Sequence, residues 1–214
     1  MSVWDLVFPP RCVHCNKVSH WLCESCQQYF NKHFHTQVHA VILPSLNQVF
    51  ISCYDYSHTI SRLLYAWKYR RWYGAGEYLK KLILAAYSEA FGTTERTLCV
   101  PVPIHRQRLR DRGFDQTKEL LDMLVEQSPD ICQQLLIRTK NTRTQVGLNR
   151  VARQQNVKRA FMPNITNKFL HQCDYRIVLI DDILTTGSTL QECAALLRQI
   201  GFSHIDALVL QRGT

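Results

Sequence analysis

The chain has 214 residues, 46% of them apolar, which suits one α/β domain of ordinary size with a small appendage and excludes disordered and fibrous classes. No run approaches the length of a membrane span, and Met1 to Pro10 carries an acid and no basic region, so no secretion signal is expected. The formal charge of +9 favours acidic partners, whether nucleic acid, phosphate-bearing small molecules or an acidic protein surface.

Cys12, Cys15, Cys23 and Cys26 form the pattern C-x2-C-x7-C-x2-C. Each pair clamps one side of a tetrahedral Zn²⁺, and the short gap brings the two knuckles face to face. Four thiolates leave no open position, so the ion is expected to be structural and to supply folding energy to a module with little core. The chain has nine cysteines, an odd number, and four of them have metal spacing, which points to a reducing compartment and a cytoplasmic location. His14, His20, His33, His35 and His39 are read as solvated surface. Residues 27–48 are polar and rich in histidine, and they read as a partly helical connector. The expected division is therefore 1–48, zinc module and connector, and 49–214, the main domain.

Phe50 to Tyr56 reads as the first strand of that domain, and Ser57 to Trp72 as a helix. The helix leads through Tyr65-Ala-Trp-Lys-Tyr-Arg-Arg-Trp-Tyr73, where basic residues interleave with aromatic ones. Lys68, Arg70, Arg71 and Trp72 are candidates for nucleic-acid contact, neutralising phosphates while rings stack on bases. The alternative is that the rings pack on the core and the basic heads reach water. A second helix is expected over Glu77 to Phe91, then a strand over Leu98 to Pro103. Arg106, Arg108, Arg110 and Arg112 follow, and their guanidinium forks match phosphate oxygens unless they form a merely solvated loop. A helix is expected from Gln116 to about Glu126. Arg138 to Phe161 carries seven basic residues and no acid. It reads as a mobile loop and helix that covers a phosphorylated ligand or meets nucleic acid, with Arg143 and Arg150 as further nucleic-acid candidates.

Ile177 to Ile180 has the composition of a strand buried on both faces. Asp181 and Asp182 follow, then Thr185-Thr186-Gly187-Ser188-Thr189, just where apolar helical spacing begins at Leu190. A strand-to-helix loop with hydroxyls and unpaired N–H groups is a phosphate cradle. Two acids beside it suit ribose hydroxyls or a magnesium ion bridging phosphates. Gly201 can end the helix, and His204 to Gln211 reads as the last strand. Strands and helices alternate, which implies a parallel sheet with helices on both faces. Neither a Walker A lysine motif nor Gly-x-Gly-x-x-Gly occurs.

The run from the apolar strand through Asp181-Asp182 to Thr189 resembles the phosphoribosyl pyrophosphate (PRPP) signature of type I phosphoribosyltransferases. Further matches are the four cysteines, Trp67-Lys-Tyr69, Val100-Pro-Val-Pro103, Arg112-Gly-Phe-Asp-Gln116, Lys140-x-Thr142-x-x-Gln145-x-x-Leu148, Arg153-x-x-Asn156 and Ala160-Phe161. Together they resemble the ComF family of bacterial DNA uptake, including its ComFC and GntX types. Asp115 departs from the asparagine usual there, and a helix N-cap accommodates either residue.

The resemblance implies a zinc module joined to a phosphoribosyltransferase-type α/β domain acting in natural transformation or in use of DNA as a nutrient. It implies PRPP held with Mg²⁺ by Asp181, Asp182, Thr185, Thr186, Gly187, Ser188 and Thr189. Arg106, Arg108 and Arg112 would meet the pyrophosphate, and Lys140, Gln145 and Arg153 would lie on a flexible loop over the site. Purine enzymes of this class commonly have an acid at the position of Thr185 as base towards the purine, so purine salvage is not expected. The leading expectation is a protein that binds PRPP or a related sugar phosphate and single-stranded DNA, with a DNA-import helicase as a further partner. The alternative is an active phosphoribosyltransferase with an unknown acceptor.

Overall fold

The computed structural model describes residues 9, 11–19, 22–33, 38–53, 57–70, 72–92, 97–127, 131–140, 155, 157–167, 169 and 174–213. Arg71, Arg143, Gln145, Arg150 and Arg153 lie outside the described residues, as do Tyr54 to Tyr56.

A six-stranded sheet carries the molecule, in the order β1-β2-β8-β7-β3-β4. The strands are β1 (His39–Val41), β2 (Val49–Ile51), β3 (Thr97–Pro101), β4 (Ile131–Cys132), β7 (Arg176–Leu184) and β8 (Ile205–Arg212). All neighbours run parallel except β1, which pairs antiparallel with β2 at the edge. That edge strand comes from the expected connector. The helices are α1 (Glu24–His33), α2 (Ser57–Arg70), α3 (Tyr73–Phe91), α4 (Arg106–Arg112), α5 (Gln116–Gln127) and α6 (Ser188–Ile200). A separate antiparallel pair, β5 (Leu136–Arg138) and β6 (Phe161–Pro163), flanks the sheet.

The apolar run of β7 works as its composition predicts. Val178 and Ile180 enter one core with side chains of α2, α3 and α5, while Ile177 and Leu179 enter the other with α6, β5 and β6. All four are fully buried, each contributing roughly 1.5–3 kcal/mol relative to exposure, which fixes the register of the strand. The first core also takes in Cys12, Leu22, Cys23, Cys26 and Phe30, so the cysteine module packs on the face of the sheet that α2 and α3 cover.

Several boundaries differ from expectation for physical reasons. The first strand is shorter than expected, Val49 to Ile51, although the N–H groups of Ser52 and Cys53 still donate to the Val209 and Leu210 carbonyls of β8 (2.9 and 2.8 Å). Glycines Gly74 and Gly76 do not delay α3, which starts at Tyr73 rather than Glu77. Gly76 lies against the indole of Trp67, and a Cβ there would meet Trp67 Nε1 at 2.5 Å. Close helix approach, not a break, is what that glycine provides. The arginine run forms α4, capped by His105 Nδ1 accepting from the Gln107 N–H (3.1 Å) and closed by Gly113 in the left-handed region. In the basic stretch, Val157, Ala160 and Phe161 are buried, so its ends pack against the sheet domain although the sequence predicts no core there.

Gly76→Ala gains helix propensity worth about 1 kcal/mol but drives a methyl into a ring that is wholly buried. Overpacking of this kind typically costs more, so net destabilisation of about 1–2 kcal/mol is expected in urea unfolding.

Candidate functional site

The strand β7 outlasts its neighbour β3. Pairing to β3 ends at Pro101 opposite Ile180, whereas pairing to β8 continues to Leu184 opposite Arg212. Asp181 and Asp182 thus lie inside the strand but beyond the point where β3 departs, and a cleft of about 460 Å³ opens there. The Asp182 N–H donates to Asp181 Oδ1 (2.8 Å), which locks the two acids together. Burial pushes the Asp181 carboxyl up to about 7, and the neighbouring Asp182 charge adds to this, against the pull of Lys68 and Arg138. Asp182 is ion-paired with Lys68 of α2, both side chains being largely withdrawn from water.

After Leu184 the chain turns through Thr185 and Thr186 into Gly187, which has φ +74° and caps α6. A side chain at Gly187 would be strained by that backbone and would collide with Leu43. Thr186 Oγ1 bonds Ser188 Oγ (2.7 Å), shaping the turn, and the first-turn N–H groups of α6 have no helical acceptors. Thr185, Gly187, Ser188 and Thr189 line the cleft beside the acids.

The opposite wall is basic. Arg108 and Arg112 of α4 and Arg138 of β5 line the cleft. Burial lowers Arg108, with Arg112 adding to the effect, and burial lowers Arg138, with Arg108 adding and Asp181 opposing. Arg112 is held by Gln116 Oε1 (2.7 Å) and stacks on Tyr69 (5.4 Å to the ring centre). Asp115 N-caps α5 by accepting from the N–H groups of Thr117 (3.1 Å) and Lys118 (3.2 Å). Gln211 of β8 and Gly213 just after it complete the wall, Gln211 bonding Ser61 of α2 (2.9 Å).

Of the residues singled out in the sequence, the cleft collects Asp181, Asp182, Thr185, Gly187, Ser188, Thr189, Arg108, Arg112 and Lys68. Thr186 does not line the cleft and bonds Ser188 within the turn. Arg106 is exposed on α4, and Lys140 is exposed, with its ammonium on the Lys158 carbonyl (3.1 Å). Lys68, expected on a nucleic-acid surface, turns inward to Asp182 instead, because its place in the last turn of α2 faces the end of β7. Arg138, Gln116, Thr117 and Gln211 were not singled out as cleft residues. Only their basic or polar character in otherwise apolar elements could have signalled them.

The aromatic-basic stretch divides by helical phase. Trp67 is core, whereas Tyr65, Tyr69 and Tyr73 are exposed. Arg70 lies over both Tyr65 (5.9 Å) and Trp72 (5.8 Å). A second hollow, of about 720 Å³, lies between α2 and the cysteine module and is lined by Arg11, His58, Arg62, Tyr65, Arg70 and Trp72, among others. The Arg62 guanidinium donates to the Val13 carbonyl (2.8 Å), and His14 Nδ1 lies 3.1 Å from Thr59 Oγ1, so this wall is tied to the helix.

The four sulfurs of Cys12, Cys15, Cys23 and Cys26 lie within 4.8 Å of one another, and Cys15 and Cys23 are 3.6 Å apart. Tetrahedral zinc with ~2.3 Å bonds requires sulfurs about 3.8 Å apart, so the cluster is compatible with a structural zinc site. Burial raises the Cys12 thiol, but N–H groups of Cys15, Cys23 and His14 outweigh it and bring Cys12 down to about 6. Cys26 stands in the first turn of α1, where burial and the neighbouring cysteine sulfurs push its thiol well above the usual range.

Two outcomes are expected from this geometry. About one zinc per chain is released by a mercurial thiol reagent, and Cys26→Ser lowers the melting temperature of the whole chain rather than of a separate module, because the cluster shares a core with α2. A distinct first transition with the main one unmoved would count against it. Asp181 retains its proton to higher pH folded than its ordinary 3.8 allows unfolded, so stability falls as pH rises from about 4 to about 7 and stays low above. Asp181→Asn is therefore expected to be more stable than the wild type by about 1–3 kcal/mol at pH 8, with the difference vanishing near pH 4.

Comparison with known proteins adds an independent line. No family model matches the chain. It is 30% identical to competence protein F of Haemophilus influenzae, over 94% of this chain and 96% of that protein. It is 31% identical to the DNA utilization protein YhgH of Escherichia coli K12, covering 77% of this chain and 72% of the other. It is 26% identical to competence protein ComFC of Bacillus subtilis, covering 85% and 68%. Among solved structures, a hypoxanthine phosphoribosyltransferase of Staphylococcus aureus matches 65% of this chain and 66% of its own at 12% identity and a TM-score of 0.40. The allosteric regulatory enzyme of purine biosynthesis matches 63% of this chain and 26% of its own at 17% identity and a TM-score of 0.41. Matched to competence protein F along almost the full length of both proteins, the chain belongs to the ComF family.

Proposed function

We propose that this protein serves DNA uptake by binding PRPP, or a related sugar phosphate, in the cleft and single-stranded DNA on the basic surface beside it. One observation carries the phosphate half: a single cleft brings together an acid pair, a hydroxyl-lined turn at a helix start and Arg108, Arg112 and Arg138. In this reading the turn from Thr185 to Thr189 holds the 5′-phosphate, the acids meet the ribose hydroxyls and the guanidiniums meet the pyrophosphate. Asp181 fits a magnesium ion shared with the phosphates of the ligand, since its carboxylate lines the cleft.

The DNA half is supported by the hollow between α2 and the cysteine module, where Arg70 sits between two aromatic rings and Arg11 and Arg62 add charge. Alternation of rings and guanidiniums suits a single strand, because every base has a face to stack and every nucleotide a phosphate to neutralise. The names of the relatives, competence protein F and DNA utilization protein, point the same way.

A second reading is phosphoribosyl transfer, in which the bond from C1 to pyrophosphate breaks and one to an unidentified nucleophile forms. The guanidinium wall favours it, because such a wall also stabilises a departing pyrophosphate. Thr185 lines the cleft, and the resemblance to type I phosphoribosyltransferases, whose purine enzymes commonly carry an acid at that position, disfavours a purine as the nucleophile.

Calorimetric titration with PRPP and Mg²⁺ is expected to show saturable binding, weakened about tenfold or more by Asp181→Ala. Fluorescence anisotropy with a labelled single strand is expected to show salt-dependent binding, weakened by Arg62→Glu together with Arg70→Glu. Absence of PRPP binding overturns the phosphate half, and absence of salt-dependent strand binding overturns the DNA half. Release of pyrophosphate dependent on an added nucleophile would place the transferase reading first.

A further inference from the structure

Lys68 is the one lysine lining the cleft among the described residues, and it stands on a rigid support. The preceding Trp67 is wholly buried and seated against Gly76. Two turns earlier on the same side of α2, Ser61 is bonded to Gln211 of β8. The helix is thus fixed to α3 at one end of its cleft-facing side and to the sheet at the other, and the ammonium is delivered to Asp182 with little freedom. Both side chains of the pair are mostly shielded, at 10% and 15% exposure. An exposed pair exchanges easily with solvent ions, whereas a desolvated one is costly to separate because each charge is left uncompensated.

The two acids are therefore in different situations. Asp182 is ion-paired with a cation belonging to the chain, while Asp181 accepts the backbone N–H of its neighbour and feels Lys68 and Arg138 from further off. A cleft with two bare carboxylates repels an anionic sugar phosphate unless a divalent ion intervenes. Here one acid is satisfied and Arg108, Arg112 and Arg138 stand nearby, so the local balance is positive before any ion arrives. Magnesium also sheds its water reluctantly, which makes displacement of a fixed ammonium from Asp182 unfavourable.

We infer that Lys68 is a resident cation that takes the place of a divalent ion at Asp182, so that the ribose 5-phosphate half of the ligand binds without metal and only the pyrophosphate half requires Mg²⁺. The inference rests on the phosphoribosyl reading of the cleft, and it makes Lys68 a determinant of which ligands bind and under what ionic conditions.

Ribose 5-phosphate, which lacks the pyrophosphate, is the probe. In calorimetry the wild type is expected to bind it equally well, within about twofold, in EDTA and in excess Mg²⁺. Lys68→Met is expected to bind it about tenfold or more weakly in EDTA and to recover with Mg²⁺, while Lys68→Arg, which keeps the charge, remains independent of the ion. Water-proton relaxation with Mn²⁺ gives a readout without any sugar: Lys68→Met is expected to gain an Mn²⁺ site that the wild type lacks. Wild-type binding of ribose 5-phosphate that needs Mg²⁺ overturns the inference, and so does a wild-type protein that already holds Mn²⁺ at the acids. Neither result requires the Lys68→Met protein to fold. Failure of the wild type to bind both ribose 5-phosphate and PRPP in any buffer is a different outcome, which removes the phosphoribosyl reading and the inference together.

Discussion

The unequal length of the strands around β7 is the constraint on which the cleft depends. Because β8 follows β7 to Leu184 while β3 leaves at Pro101, the last four residues of β7 have a backbone partner on one side and open space on the other. Acidic side chains are carried into that space by a strand whose preceding residues are fully buried. The apolar contacts anchoring β7 outweigh the cost of a crowded acid pair, so the sheet can hold Asp181 in a place where burial and the Asp182 charge push its carboxyl up to about 7.

Opposed charges then organise the walls. Guanidiniums at Arg108, Arg112 and Arg138 come from two segments, α4 and β5, with a brace from Gln116 of α5, and none of them is close in sequence to the acids. The excess positive charge of the chain is thus not spread evenly as a solvated coat. Part of it is turned inward, toward the end of β7, and part lies between α2 and the cysteine module.

Much of this was legible in the sequence because it rests on local chemistry. The strand-acid-turn-helix segment from Arg176 to Leu190 and the four spaced cysteines each fold within a short stretch, and residue type and spacing describe them well. The inward turn of Lys68 was not legible. It depends on the phase of α2 relative to β7, which Trp67 and Gly76 set through a tertiary contact. Arg138 was read as part of a mobile basic stretch, and its fixed place on the cleft wall was hidden, because its strand β5 is only three residues long and finds its partner β6 more than twenty positions later. The short α4 reads as a loop by composition, and its helical form comes from the His105 cap and the left-handed Gly113 at its two ends.

The strand order also governs how the chain assembles. The parallel partner of β2 is β8, and the Gln48 N–H waits for the Asp206 carboxylate, 158 residues further on. Contacts so distant in sequence are slow to form, because a long loop must close before any of them is rewarded. Until β8 arrives, β2 and β7 each lack a neighbour, and Gln211 and Gly213 are missing from the cleft. The cleft is therefore among the last parts of the molecule to be completed during folding. Intermediates that precede it expose unpaired strand edges, the species most prone to associate with one another.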